Sequence, residues 1–393
     1  MEALIYSDAV EAVRSRVQAL GEAERVPLLE AAGRVLAAPV SADRAYPPVA
    51  RSIRDGYALR AAELPGAFRV VGEVRAGGSF AGEVGPGECV EIMTGAPMPA
   101  GADCVVMVEH ATLADGVMTT ERRLGSGDHW TPAGCDARAG QVVVEAGVRL
   151  RSNHIAMLAT VGQAEVLVYR RPRVAILATG DEVVGVEAAP AAEQVRNSNS
   201  YSVAAQVWQA GGIPTVLPVA KDNLADTRRR IAEGLEQDLL LLSGGVSAGK
   251  YDLVETVLAE YGAEFFFTRV RMQPGQPLVF GQARGRYFFG LPGNPASTMV
   301  TFAAVARVAV ARLGGETEGE GVRGMGTLQG ELRLKPGLTR FLPAEMRGTG
   351  VFPVRYSGSG DVPALARANV FVVTDPERDV YLPGEEIEVL PIL

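Results

Sequence analysis

The 393-residue chain contains only three cysteines, three histidines and two tryptophans. Cys89, Cys104 and Cys135 are odd in number and include no C-x-x-C pair, so the sequence signals neither a disulfide framework nor a zinc site. A reducing, cytoplasmic setting is expected. His110, His129 and His154 are widely separated and read as surface or packing residues, as Trp130 and Trp208 read as packing. No uninterrupted apolar run reaches about 18 residues, and no basic segment precedes an apolar one near Met1, so neither a membrane span nor a signal peptide is expected. Positive charge is also scarce: the formal net charge is −8 and the pI about 5.2, which argues against general nucleic-acid binding. A small anionic ligand held in a local basic cleft remains compatible with that balance. No G-x-S-x-G, H-E-x-x-H or Walker A pattern occurs, and no internal repeat is found.

What is present is a soluble globular composition, 47% hydrophobic and 21% charged, with 46 glycines and 24 prolines that imply many turns. At roughly 100 to 200 residues per domain, the chain has room for several cores. Val10, Val13, Val17 and Leu20 recur at helical spacing behind Ser7, a candidate cap, and Leu28 to Leu36 reads as a second helix. Pro47-Pro48 then excludes regular helix, and a boundary falls near residue 45. Short alternating pieces separated by glycine-rich turns follow from Phe68 to Val108, the pattern of a small β-domain over residues 46–139. Residues 1–45 and 140–171, with a helix from Arg151 to Leu158, read as one discontinuous segment around this insertion, its first helix free to pack on the domain that follows. From Arg173 strands alternate with helices, which predicts a parallel-sheet α/β domain over residues 172–326. Its helices include Tyr201 to Ala210 capped by Asn199 or Ser200, and one that Asn294 caps with Pro295 at its first position. Only short strands and turns follow in 327–393, a second small β-domain.

The most informative stretch is Asp238 to Asp252, where the buried-strand run Leu239 to Leu242 stops at Ser243-Gly244-Gly245 and Asp252 precedes a helix-like segment. Such a loop is either a tight turn with a helix cap or a site where backbone N–H groups reach an anionic ligand. Glu182, Asp222 and Asp252 each follow a predicted strand of the same sheet, and such loops share one carboxyl-terminal edge. Three carboxylates at one crevice repel one another unless a cation lies among them, and hard oxygen donors suit Mg²⁺ bound to a phosphate. Thr179, Ser243 and Ser247 can hydrogen-bond phosphate. The LPGNPAS run, with Pro292, Gly293, Asn294 and Ser297, starts a helix whose free N–H groups favour an anion.

SIRDGYALR, EIMTGAPMPAGADCVVMVE, ILATGDEV, LLLSGGVSAGKYD, PGQPLVFG, GLPGNPAS and LARANVF follow one another in this chain. In these blocks and their order, spanning nearly its whole length, the chain resembles the molybdopterin molybdenumtransferase family, MoeA and the gephyrin E-domain. The resemblance implies that adenylylated molybdopterin is bound, molybdate is delivered to its dithiolene, and the phosphoanhydride is hydrolysed to release AMP, with a divalent metal, Mg²⁺, required. By motif match Asp55, Thr94, Asp136, Glu182, Asp222 and Asp252 correspond to active-site positions, with Glu182, Asp222 and Asp252 holding the metal. The same blocks place Thr179, Gly180, Ser243, Gly244, Gly245, Ser247, Pro274, Gly275, Pro292, Gly293, Asn294 and Ser297 around the pterin substrate. A two-fold homodimer is also implied, in which Asp55 of one subunit shares a site with Asp252 of the other.

The sequence departs from the family pattern where many members carry KPGKP and this chain has Gln273-Pro274-Gly275-Gln276-Pro277. Two fixed charges are absent, so oxyanion binding is expected to lean on Arg269, Arg271 or Arg340. Arg54 stands where Met is usual, and Val362-Pro363-Ala364 replace the serines common before the ARAN block. A molybdopterin adenylyltransferase-like activity, a paralogue handling tungstate, and a non-enzymatic scaffold remain as alternatives.

Overall fold

The computed structural model describes residues 2–244, 253–317 and 323–392. The chain forms two compact units: Met1–Ala37 with Gly147–Arg151 and Glu165–Leu393, and Ala38–Ala146 with Ser152–Ala164. It passes between them at Ala37, several residues before the double proline, and the helix Ser152–Thr160 belongs with the inserted unit.

The larger unit opens with helix α1, Tyr6–Arg16. Its cap position is Ile5, without a side-chain bond, so Ser7 lies inside the first turn instead of capping it. The helix expected over Leu28 to Leu36 is a single 3-10 turn, Leu28–Ala31. Gly33, at φ +77°, redirects the chain, and Val35 and Leu36 are buried by backbone pairing with Arg149 and Val168 rather than along a helix face.

The α/β domain is built from β1 (Arg173–Ala178), β2 (Val183–Val184), β3 (Val195–Arg196), α2 (Ser198–Gln209), β4 (Ile213–Val216), α3 (Leu224–Gly234), β5 (Leu239–Ser243), α4 (Leu253–Glu260), β6 (Glu264–Phe267), β7 (Val279–Ala283) and β8 (Arg286–Leu291). The six-stranded sheet runs β4-β1-β5-β8-β7-β6. Pairing is parallel among β4, β1, β5 and β8, and antiparallel from β8 through β7 to β6. Alternate side chains of each strand enter opposite layers because strand residues point to the two faces in turn. Val174, Ile176, Leu239 and Leu241 pack with Val13 of α1, Val203 of α2 and Val305. Ala175, Leu177, Leu240 and Leu242 pack instead with Ile231 of α3 and Val257 of α4. Both faces are covered, as a continuous apolar run such as LLLL demands.

The helical run Pro295–Leu313 is long and apolar enough to cross a membrane by length and composition, but 78% of its apolar window is buried inside the protein. Phe302, Val305 and Val308 share the core with α1, which is the packing that such a composition serves here. The remaining β-rich segment closes on itself: Thr339–Arg347 pairs with both Gly350–Pro353 and Val370–Val373, and Gly324–Leu328 and Glu386–Pro391 complete the ring. In the inserted unit a six-stranded sheet has Tyr57, Leu59 and Val106 on one buried face and Ala58, Val90 and Val105 on the other. Cys89 and Cys104 are core residues whose thiols burial pushes up to about 12, which makes both inert as nucleophiles.

One buried ion network anchors the start of the sheet. Asp238, just before β5, is 2% exposed and accepts bonds from Arg170 at 2.8 and 3.2 Å and from the Arg173 N–H at 2.7 Å. Burial alone would raise this carboxyl, but those donors outweigh it and hold the group below the ordinary aspartate range. Its stabilisation is therefore complete above the unfolded value, about 3.9, and is lost as pH falls through the lower folded value. Asp238→Ala is expected to lower protection of the Leu239–Ser243 amides by on the order of 3 kcal/mol in hydrogen exchange at pH 7. The difference from the parent protein should vanish under acid conditions; a difference that persists there assigns the effect to packing.

Candidate functional site

Parallel pairing decides where the candidate side chains go. Because β1, β4 and β5 run the same way, the loops after Ala178, Val216 and Ser243 emerge at one edge. Thr179 bridges Ala220, and its N–H donates to the Ser243 carbonyl at 3.2 Å, while the Gly244 N–H reaches the Leu291 carbonyl of β8 at 3.3 Å. These contacts frame a cavity of about 760 Å³ whose lining includes Thr179, Glu182, Ser243, Gly244, Gly293 and Asn294. Pro292 also lines it.

Other expected residues are not among that lining. Asp222 faces the neighbouring loop, its Oδ2 accepting the Asp181 N–H at 3.2 Å while its own N–H donates to Asp181 Oδ1 at 3.2 Å. Asn223 caps α3 by accepting from Asp226 N–H at 2.9 Å, which fixes the turn carrying Asp222. Gly180 lies under Glu182, whose carboxylate occupies the space a Cβ would need. Gly275, at φ +107°, packs on Thr301, and neither it nor Pro274 lines the cavity. Ser297 is buried in the helix that Pro295 begins, its carbonyl accepting the Thr301 hydroxyl at 2.7 Å. Gly245, Ser247 and Asp252 lie outside the described residues. Among the described residues no group of three His, Cys, Asp or Glu side chains is arranged to hold a metal. Glu182 and Asp222 carry hard oxygen donors of the kind Mg²⁺ takes.

The sequence reading missed one whole wall of the cavity. Helix α2 starts at Ser198, three residues before the expected Tyr201, because Asn197 and not Asn199 or Ser200 is its cap, accepting the Ser200 N–H at 3.1 Å. That shift turns Asn199 into a tie between loops: its Nδ2 donates to Ser243 Oγ at 3.0 Å and to the Gly293 carbonyl at 2.7 Å. Val195, Arg196 and Asn197 also line the cavity, as do Gly360 and Val362 from the C-terminal segment. Asparagine near a helix start is a capping signal, and only the choice between two asparagines two residues apart conceals the second role.

In the inserted unit, Asp55 precedes the strand Gly56–Leu59 and Thr94 follows the antiparallel strand Glu88–Ile92, so both lie at one sheet end. Gly56 is required because a Cβ would collide with the Val106 carbonyl of the strand on its other side. Asp55 Oδ1 accepts the Thr94 N–H at 2.6 Å and its hydroxyl at 2.7 Å. These two bonds, the backbone one foremost, hold the exposed Asp55 carboxyl below the ordinary range, and both fall on Oδ1, so Oδ2 faces away from Thr94's donors. Asp136 lies on another loop of this unit, its N–H on the Tyr46 carbonyl at 3.0 Å and its Oδ1 accepting the Cys135 thiol at 3.2 Å. His129 Nδ1 donates to the Val105 carbonyl at 2.8 Å and His110 contacts Arg122, and neither is among the residues lining the cavity. Trp130 is half-buried, its indole N–H on the Asp103 carbonyl, whereas Trp208 is 60% exposed beneath the Arg171 guanidinium, not a packing residue.

Of the arginines that could replace the absent lysines, Arg340 is the one beside Gln273, its Nε donating to Gln273 Oε1 at 2.9 Å. Arg271 instead donates to the Gly337 carbonyl at 3.1 Å.

Comparison with known proteins agrees with this arrangement over the full chain. Residues 4–162 match the MoeA N-terminal region (domain I and II), residues 175–312 a probable molybdopterin binding domain, and residues 326–392 the MoeA C-terminal region (domain IV). The molybdopterin molybdenumtransferase of Bacillus subtilis is 34% identical, over 97% of this chain and 93% of that protein. That of Haemophilus influenzae is 32% identical, over 94% of each. A crystal structure of a molybdopterin biosynthesis MoeA protein from a Pyrococcus species is 28% identical, with a TM-score of 0.74 and 99% of each chain covered. The domain order, the cavity and these relatives together establish that the chain belongs to the molybdopterin molybdenumtransferase family.

Proposed function

We propose that this protein inserts molybdate into adenylylated molybdopterin and hydrolyses the adenylate to release AMP, as a transferase of molybdenum cofactor biosynthesis. The observation that carries the reading is the cavity at the carboxyl ends of β1 and β5. Its lining joins Thr179, Glu182, Ser243, Gly244, Gly293 and Asn294, residues that lie far apart in the chain. At about 760 Å³ it falls within the size range of pockets that enclose small organic ligands.

In this reading Thr179, Ser243 and Asn294 orient the substrate through neutral hydrogen bonds, and Asn199 keeps the Ser243 and Gly293 loops together around it. Glu182 and Asp222, with Asp252, would hold Mg²⁺. When bound, the ion neutralises charge that develops on the leaving phosphate. Asp55, ionised well into the acid range by its two bonds from Thr94, offers Oδ2 as an acceptor able to orient a water or a substrate donor. Arg340, held by Gln273, supplies fixed positive charge for the oxyanion in place of the lysines usual in the family.

AMP release from adenylylated molybdopterin, with Mg²⁺ and molybdate present, tests the reading directly. Glu182→Gln or Asp222→Asn should slow that release roughly 100-fold while leaving the melting temperature unchanged, since each removes a charge with little change of volume. Turnover at the parent rate would remove the carboxylates from the site.

Lysine at both Gln273 and Gln276 should lower the molybdate concentration needed for half-maximal turnover. An unchanged or higher requirement would show that Arg340 already completes the oxyanion site.

Asp55 and Thr94 belong to one compact unit and Glu182 and Asp222 to the other. The family resemblance supports a two-fold homodimer whose sites each combine the two sets from different subunits. Mixing inactive Asp55→Ala and Asp252→Ala proteins under conditions of subunit exchange should then restore activity, because each mixed dimer keeps one intact site. If exchange is demonstrated and no activity returns, each site is built within a single chain.

A further inference from the structure

The cavity wall that the sequence did not reveal carries a charge of its own. Among the described lining residues Glu182 is the one carboxylate and Arg196 the one cation. They sit on the same small ribbon: β2 and β3 pair in parallel, with Val184 beside Arg196, and the Val195 N–H donates to the Glu182 carbonyl at 2.8 Å. Arg196 Nε donates to the Ala188 carbonyl at 3.0 Å. That bond uses one of the five N–H groups of the guanidinium and fixes its plane, leaving the terminal nitrogens to donate elsewhere. Arg170, Arg173, Arg228, Arg229 and Arg230 in the same domain each engage a carboxylate. Arg196 forms no ion pair with any described residue.

Charge bookkeeping makes this arginine consequential. The chain carries a formal net charge of −8, and a phosphorylated ligand entering the cavity meets Glu182 there. Thr179, Ser198 and Ser243 offer hydroxyl hydrogen bonds that serve neutral and anionic groups alike. An oriented guanidinium matches two phosphate oxygens at once and is the feature that separates a phosphate from an uncharged group of the same size.

We propose that Arg196, on the β2–β3 ribbon, is the residue that recognises the phosphate oxygens of the pterin substrate, an inference that rests on the substrate reading given above. Arg196 engages phosphate oxygens that already carry charge when the substrate enters, so its contribution is made at the binding step. Its loss therefore raises KM and leaves kcat in place, the opposite of what is expected for the carboxylates.

The experiment compares parent protein with Arg196→Gln and Arg196→Lys, using anaerobic equilibrium binding of molybdopterin and of its dephosphorylated form, followed by AMP-release kinetics with adenylylated molybdopterin. Arg196→Gln should weaken binding of the phosphorylated pterin about tenfold and leave the dephosphorylated form unaffected. Arg196→Lys, which keeps the charge without the fork, should fall between. In turnover, KM should rise by a similar factor at an unchanged kcat, and its dependence on salt should flatten. If Arg196→Gln weakens both forms equally, the residue only supports the ribbon through Ala188 and the proposal is overturned. Equal binding by parent and variant overturns it too, while AMP release by the parent leaves the functional reading standing. Failure of the parent protein to bind or turn over either pterin overturns the substrate reading, and the assignment of Arg196 with it.

Discussion

Parallel backbone pairing of β1 with β4 and β5 is the constraint on which the site depends. Parallel strands must exit at the same edge, so the loops that begin at Thr179, Leu217 and Gly244 are brought together whatever their side chains. The sheet can be parallel because both of its faces are buried, by α1, α2 and the Pro295–Leu313 run on one side and by α3 and α4 on the other. The buried Asp238 network fixes the opposite end of β5. Rigid strand ends and loops tied by backbone bonds then allow polar side chains to be held without a dedicated metal cluster among the described residues.

Electrostatics divides the work between the two sets of acidic residues. Asp55 is held ionised by neutral donors from Thr94, in a place open to solvent, so its charge needs no cation. Glu182 instead lines the cavity, and Asp222 accepts one N–H, from Asp181 on the neighbouring loop. The same logic explains the Gln273–Arg340 bond. A lysine there would set a second cation against Arg340, whereas the glutamine carbonyl accepts its Nε–H and orients it.

How much was legible in the residues varies with the range of the interaction. The α/β alternation from Arg173 and the β-rich segments on either side followed from periodicity alone, because alternate burial leaves a pattern in any buried strand. Val35 and Leu36 misled because two apolar residues at that spacing are equally served by strand pairing, and the partners, Arg149 and Val168, lie more than a hundred residues away. The cap of α2 misled for a smaller reason: Asn197 and Asn199 are chemically identical, and only the fold selects between them.

By itself, then, the sequence determined the alternation of strands and helices from Arg173 onward, and the carboxylates and small residues that follow its strands. These depend on local propensity and on periodicities of a few residues, which neighbours in the chain carry. Tertiary structure alone decided that Asn199 would span Ser243 and Gly293, that Arg340 would pair with Gln273, and that Arg196 would be the cation of the cavity wall. Each of these rests on a contact or a cavity shared by segments distant in sequence. Such contacts arise from how layers pack and strands register, and no short stretch of residues encodes them.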